Sequence, residues 1–362
     1  MSRMEVCVCG GGNLAHALGG YLAAQRDLSV RLLTRHPEMW CVGDAPLIVE
    51  DPNGKIYQGR FSVITSDART AVEGVDIVFI CLPGFAIADE LKAISPYISA
   101  DVYVGSVVSS TGFFLMAHQL LPYDTRLFGF QRVPFIARIQ DYGSHVMLLG
   151  YKSSLSVATE NIADYSVLTS LLSGMFAVPI HWLSDYMKVT LTNSNPILHP
   201  SRLYSIFGKG QKYFDHQILF YEEWDIRSSE ILIECDDEFQ RVIHSLSFSE
   251  NDVPSILSYY DSTDAISLTA KIRSIKAFKG LLVPMSGTPD NMFVPDIDNR
   301  YFKEDIPYGL LLVKAFAVKL GIVTPMIDNV IEWAQKTMDK QYICNGLMNG
   351  PDLKDTIVPF VI

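Results

Sequence analysis

The sequence predicts an α/β domain with a mainly parallel, doubly wound sheet, followed by a mostly α-helical domain. Three observations carry this reading. Apolar strand-like runs alternate with helical spacing through the first half, a glycine-rich turn follows the first strand, and strand signals become rare after about Asp185. A chain of 362 residues accommodates two domains of ordinary size, placed here at 1–185 and 186–362.

The elements follow in order. "MEVCVCG" is a short apolar strand, "NLAHALGGYLAAQ" has helical spacing, and "SVRLLTR" is a second strand. "VDIVFICLP" is a continuous apolar run stopped by Pro83, as expected of a strand buried on both faces. "DVYVGSVVS", "TRLFGFQRV" and "HVMLLGYK" read as later strands, and "ADYSVLTSLLSGMF", "GLLLVKAFAVKL" and "MIDNVIEWAQKTM" as helices. "VPMSGTPDNMFVPDIDN" reads as a long ordered loop, a kind of segment that often carries function.

Composition narrows the class. Hydrophobic residues make up 49% and charged residues 19%, which suits a globular chain and not a disordered one. A net charge of -11 without any dense Lys/Arg run disfavours a nucleic-acid partner. Six cysteines without a Cys-x-x-Cys pair give no metal or redox motif and suit a reducing compartment. Arg3 and Glu5 lead straight into a strand, so no signal peptide is expected. The uncharged stretch 102–123 reads as strand, loop and helix and not as a membrane span, because it holds Ser106, Ser109, Ser110, Thr111, His118 and Gln119. The expectation is a cytoplasmic protein, monomeric or homodimeric, that acts on small molecules.

Gly10, Gly12 and Ala15 form G-x-G-x-x-A between the first strand and the first helix. Gly10 permits the tight turn, Gly12 lets the backbone approach a pyrophosphate, and Ala15 lets helix and strand pack closely. The pyrophosphate then lies at the positive helix N-terminus, beside Asn13 and Leu14. In its βαβ context this is the dinucleotide-binding (Rossmann) fingerprint, with Pro83 closing the next strand toward the same site. The second strand ends at Thr34-Arg35-His36, where an NAD-binding chain usually places an acid. Arg35 is either a solvated surface residue or a partner for the 2′-phosphate of NADP, so the cofactor is read as NADP or NAD, with a lean to NADPH.

Three further segments, "NSNPILHPSRLY" at 193–204, "KGLLVPM" at 279–285 and "NRYFKEDIPYGL" at 299–310, join "VCVCGGGNLAHAL" and "IDNVIEWAQKTMDKQYI". Together they resemble the opine dehydrogenase family over nearly the whole chain. The resemblance implies a Rossmann domain joined to a helical substrate domain, and reductive condensation of an amino acid with a 2-oxo acid in the cleft between them. It also implies His199 as acid/base, Asp305 as its orienting partner and Arg300 as the clamp on the oxo-acid carboxylate. Such chemistry needs a group titrating near neutrality, a carboxylate to orient it and a planar bidentate cation. His199 and Asp305 are therefore expected within hydrogen-bond reach, about 2.6–3.2 Å.

On their own terms these residues read as follows. Pro200 biases His199 out of a helix and toward a break, and Asp305 can also be a helix N-cap ahead of Ile306-Pro307. The family's substrate-pocket positions fall here on Ser110, Arg132 and Asn193, where the residue types differ from those of the octopine-type enzymes. Arg132 either takes a second carboxylate, which argues against arginine as the amino substrate, or forms a surface salt bridge. Arg138 matches the family layout and reads as structural, at the domain junction. Two rivals remain: a glycerol-3-phosphate or 2-hydroxy-acid type of dehydrogenase, which relies on a lysine in the helical domain, and a non-catalytic nicotinamide-binding sensor.

Overall fold

A computed structural model describes residues 3–40, 45–192, 195–249 and 252–362. The chain forms two compact units. The first runs to Thr190 without Ser110–Gly112, which group with the second unit, Leu191–Ile362. The division lies a few residues beyond the expected Asp185.

The first unit contains β1 (Met4–Cys9), α1 (Asn13–Ala23), β2 (Leu28–Leu33), β3 (Leu47–Glu50), β4 (Ile56–Gly59), β5 (Val63–Thr65), α2 (Ala68–Val72), β6 (Ile77–Ile80) and α3 (Gly84–Ile94). It continues through β7 (Tyr103–Ser106), α4 (Phe113–Leu120), β8 (Arg126–Phe130), β9 (Phe135–Asp141), β10 (His145–Tyr151), β11 (Leu155–Glu160), α5 (Ser166–Phe176), β12 (Ile180–Leu183) and α6 (Met187–Thr190). Eight strands make the main sheet in the order β12-β11-β8-β7-β6-β1-β2-β5. Every neighbouring pair is parallel except β8 with β11. The central strands are apolar on both faces because helices cover both: all four residues of β6, and Val6, Cys7, Val8 and Cys9 of β1, are buried. Strand order reverses at β1, so the Gly10 turn at its C-terminal end opens at the switch point of the sheet. The uncharged stretch 102–123 becomes β7, a short turn and α4, and no described helix is long and apolar enough to cross a membrane.

A second sheet, in the order β4-β3-β10-β9, is a correction to the sequence reading, which took 145–151 as one of a single series of strands. It packs on α1, which also contacts β1 and β2 of the main sheet. Glycines make this close approach possible: a Cβ on Gly20 would lie 2.6 Å from Val49 and 2.7 Å from Leu47, and one on Gly59 would lie 2.3 Å from the Gly20 carbonyl. α1 is therefore buried over seven of its eleven residues, from Ala15 through Gly20 and at Leu22.

One of those residues, His16, ties the glycine-rich turn to the β9–β10 hairpin. Its Nδ1–H donates to the Gly12 carbonyl at 3.0 Å, and its Nε2 accepts from the Gly143 N–H at 2.8 Å. The ring stacks on Trp40 at 3.9 Å and meets Tyr142 edge-on. Asn13 adds a parallel tie, since its side-chain carbonyl accepts from Ile139 N–H at 2.8 Å.

The second unit contains α7 (Asn195–Phe207), α8 (Ile226–Ser245), α9 (Ile256–Tyr259), α10 (Ala265–Ser274), β13 (Met285–Gly287), β14 (Phe293–Pro295), α11 (Arg300–Lys303), α12 (Leu311–Lys319) and α13 (Pro325–Thr337), with a π-helical turn at Asp305–Leu310. Caps set its boundaries. Asp225, Asp264 and Asn299 cap α8, α10 and α11 from their own side chains. Glu238 of α8 accepts from the N–H groups of Met326 and Ile327, capping α13 from a neighbouring helix. The stretch expected to be a loop, 283–299, instead holds the β13–β14 hairpin, pairing Met285 with Pro295 and Gly287 with Phe293. Its two strands are only three residues each, too short to show an alternating pattern.

Burial lowers the His16 pKa to about 4, against the opposing pull of the Gly12 carbonyl. A histidine whose folded pKa lies below its unfolded value of about 6.5 contributes fully above that value, and its contribution is lost as pH falls toward about 4. The loss is roughly 3 kcal/mol across this window. Denaturant unfolding at pH 7 and pH 4.5 checks it: stability should fall with acid, and fall less in His16→Gln, which cannot titrate. Equal pH slopes in both proteins would show that His16 is not the sensor.

Candidate active site

The first cluster of interest lies at the β1–α1 turn. Gly10 has φ of +140°, and a Cβ there would lie 2.6 Å from the Cys81 carbonyl, so only glycine fits. Gly12 has open space where its Cβ would be, and it precedes α1 with no side-chain cap and no acid in the first turn. Leu14 is half-buried against the sheet core, and Ala15 is fully buried. The first N–H groups of α1 are thus uncapped and uncovered by side chains, a fit for the pyrophosphate of a dinucleotide. Thr34 is buried at the end of β2, Arg35 next to it is exposed, and Pro83 stands at the N-cap of α3. The strand ends bring all of these residues to one edge of the sheet, where β1, β2 and β6 terminate. Glu90 of α3 has an electrostatic interaction with Arg35, and its pKa is raised by burial despite that cation.

The second cluster belongs to the helical unit. His199 and Asp305 are 106 residues apart in sequence, yet His199 Nδ1 donates to Asp305 Oδ2 at 2.7 Å. Both are buried, at 2% and 6% exposure. A carboxylate can only accept, so Nδ1 carries the proton and Nε2 is left as the reactive nitrogen. Nε2 lies 3.2 Å from the Tyr221 hydroxyl. The imidazole is stacked on Tyr301 at 4.0 Å and held edge-on by Phe220 at 5.4 Å, so its plane is fixed from two sides.

Two expectations about this pair need correction. His199 is not at a break: α7 continues through Pro200, and ten of its thirteen residues are buried. Pro200 forfeits a single bond, to the Pro196 carbonyl one turn earlier, and the burial of the surrounding turns outweighs that loss. Nor is Asp305 an N-cap. The helix already begins at Arg300 under the Asn299 cap, and Asp305 opens the π-helical turn that accommodates Pro307. That wider turn aims Asp305 inward at α7.

Gly309, which the sequence reading passed over, is what lets the two segments meet. A Cβ there would lie 2.8 Å from Pro196 Cβ and 3.0 Å from its Cα. Its only sequence signal is a glycine inside an apolar helical run, which usually has a packing reason.

Arg300 lies in the first turn of α11 with an exposed side chain. Partial enclosure disfavours its charge, but Asp305, with Tyr301 and Glu304, outweighs this and holds its pKa above the ordinary value. It is thus a permanent cation directly after the Asn299 cap and five residues before Asp305. Ser110 sits in the Ser109–Thr111 turn that follows β7, Arg132 is half-buried between β8 and β9, and Arg138 is exposed on β9. Asn193 lies outside the described residues. Lys314, a buried lysine of the helical unit, is bound to Asp328 at 2.6 Å and to Thr324 at 2.9 Å, which leaves it no room for a catalytic role.

A Rossmann-type sheet with an uncapped first helix, joined to a helical unit holding a buried His–Asp pair, defines a nicotinamide-dependent dehydrogenase class. The comparisons are consistent with it. Residues 182–338 match the family model for the α-helical domain of NAD/NADP octopine/nopaline dehydrogenase. Octopine dehydrogenase from Mizuhopecten yessoensis is 30% identical over 98% of this chain and 95% of its own. A solved octopine dehydrogenase with NADH and L-arginine superposes at a TM-score of 0.87, with 29% identity over 99% of this chain and 95% of that one. Another with NADH and pyruvate gives 0.85, with 28% identity over the same shares. The chain belongs to the opine dehydrogenase family.

Gly309→Ala tests the close approach. In an open helix this change gains about 1 kcal/mol, whereas overpacking a fixed contact costs about 1–3 kcal/mol. The expected outcome is lower stability in urea, with a kcat reduced by at least about tenfold, since small misplacements of a reacting group are costly. A more stable variant with unchanged kcat would show that the contact is not tight.

Proposed function

We propose that this chain reductively joins the amino group of an amino acid to a 2-oxo acid, and runs the reverse oxidation, with a reduced nicotinamide cofactor. The observation that carries the reading is the His199–Asp305 bond of 2.7 Å, buried beside a cation held charged. The cofactor, when bound at the uncapped α1 N-terminus, supplies the hydride. The rest of the chemistry falls to the protein. His199, oriented by Asp305, gives a proton to the oxygen of the 2-oxo acid as the amine adds to its carbon; that oxygen leaves as water, the resulting imine carbon takes the hydride, and the steps run backward in the oxidation. Arg300 offers a planar guanidinium to the oxo-acid carboxylate. Pyruvate, present in one solved relative, is the first oxo acid to try.

In this reading 1–185 is the cofactor domain and 186–362 the substrate domain, with Gly10, Gly12, Asn13, Leu14, Ala15, Thr34, Arg35 and Pro83 around the dinucleotide. Asn13 serves through its backbone, its side chain being taken by Ile139. Arg35 favours NADPH, although the two solved relatives cited hold NADH. Ser110, Arg132 and Asn193 complete the amino-acid pocket, with Arg132 favouring an acidic amino substrate over arginine. A reducing, cytoplasmic setting and a monomer or homodimer complete the proposal.

The test is turnover of a panel of 2-oxo acids crossed with amino acids, followed at the reduced nicotinamide band with NADH and with NADPH. Consumption that needs both substrates supports an opine dehydrogenase. Consumption with the oxo acid alone identifies a 2-hydroxy-acid enzyme, and binding without turnover identifies a sensor. His199→Ala should lower kcat by about 10²–10⁴-fold while the cofactor still binds. Arg300→Lys should raise the KM of the oxo acid sharply and leave cofactor affinity unchanged. An unaltered KM would place the carboxylate elsewhere.

A further inference from the structure

We infer that Tyr221 is a third member of the acid/base group, a positioning residue whose hydroxyl holds the Nε2 of His199 from the side opposite Asp305. The inference rests on His199 being the acid/base. Its starting point is a bond that the dyad does not need: the Tyr221 hydroxyl stands 3.2 Å from the one ring nitrogen that Asp305 leaves open. In the neutral imidazole that nitrogen has only a lone pair, so the phenol donates and Nε2 accepts.

The chain holds Tyr221 in place with unusual thoroughness. It lies between Phe220 and Glu222 in the segment before α8, at 6% exposure. Its ring stacks on Phe278 at 4.1 Å and meets Phe220 at 4.7 Å. Arg202 clamps the backbone on both sides of it. Its Nε donates to the Phe220 carbonyl at 3.2 Å, its second terminal nitrogen donates to the Glu223 carbonyl at 2.7 Å, and its first donates to Ser228 Oγ at 2.8 Å. Arg202 is itself 3% exposed, with burial bringing its pKa down to about 10 against the pull of Asp225 and Glu223. It lies three residues after His199 on α7. One helix therefore carries both the histidine and the arginine that fixes the tyrosine opposite it.

A merely space-filling aromatic has no need of a hydroxyl aimed at Nε2. The hydroxyl also stays a neutral donor: burial raises its pKa, as do Tyr301, Tyr260 and Asp305, with only Arg300 opposing. The charged and titratable groups that act on it are Tyr301, Tyr260, Asp305 and Arg300, with His199 at hydrogen-bond distance. A phenol is a better donor than acceptor, so the bond favours neutral over protonated His199. Tyr221 thus sets the orientation of the ring, while Asp305 sets the tautomer.

Tyr221→Phe keeps the ring and removes only the hydroxyl. Measured on the full chain with both substrates, it should lower kcat by about tenfold or more. The oxo-acid KM and cofactor Kd should change by less than about twofold. The kinetic pKa of kcat in the reductive direction should move up by about half a unit or more, the scale of one lost hydrogen bond. Tyr221→Leu should lose stability as well, which separates packing from the hydroxyl. A Tyr221→Phe protein with unchanged kcat and an unmoved pH profile would overturn the inference, while an inactive His199→Ala beside it would leave the dyad standing. An active His199→Ala would instead remove the reading on which both rest.

Discussion

The helical unit depends on one close approach, that of Gly309 to Pro196. Two segments more than a hundred residues apart are brought to within van der Waals reach there, and only a missing Cβ allows it. The pairing of His199 with Asp305 follows from this contact. α7 presents His199 one turn after Pro196, and the π-helical turn presents Asp305 one turn before Gly309. Neither side chain could reach the other if the backbones stood farther apart. The prolines, so often read as breaks, act here as packing surfaces: Pro196 is the wall that Gly309 meets, and Pro307 sits in a turn widened enough to hold it.

The first unit uses the same device for a different end. Gly10 passes under the Cys81 carbonyl, and Gly20 passes against Leu47 and Val49. In one case the result is a turn that exposes helix N–H groups at the switch point of the sheet. In the other it is a helix packed against two sheets. His16 and Asn13 then tie the turn to the β9–β10 hairpin with directional bonds. That helix N-terminus is thus positioned by packing along its length and by hydrogen bonds at its tip.

Much of this was legible in the sequence, and the reasons are specific. The parallel sheet could be read because its strands are apolar on both faces, and the fingerprint because glycine spacing reports backbone geometry directly. The small sheet could not, since its edge strands β4 and β9 are mixed in polarity and β3 and β4 have only four residues each. Even so, the Asp51-Pro52-Asn53-Gly54 turn between β3 and β4, where Asp51 accepts from Asn53 and Lys55, was a visible hairpin signal. At the candidate site, the pairing of His199 with Asp305 was expected from their motifs and is present at 2.7 Å, whereas their local settings were misjudged. Rules for proline and for capping describe a chain in water, and both segments lie in a core where packing decides. Tyr221 had no signal, because nothing in "ILFYEEW" marks one aromatic among several.

The second sheet has a consequence for anyone who would retune this protein. α1 leaves almost no surface free: it meets the main sheet and also β3 and β4, and its first turn is stapled to a hairpin. Changes within the helix will therefore propagate into two layers at once and damage folding before they alter ligand choice. The rim is different. Arg35 and His36 are exposed. If the proposed reading holds, selectivity for one nicotinamide dinucleotide over the other is open to redesign there, while the glycine-rich turn stays fixed.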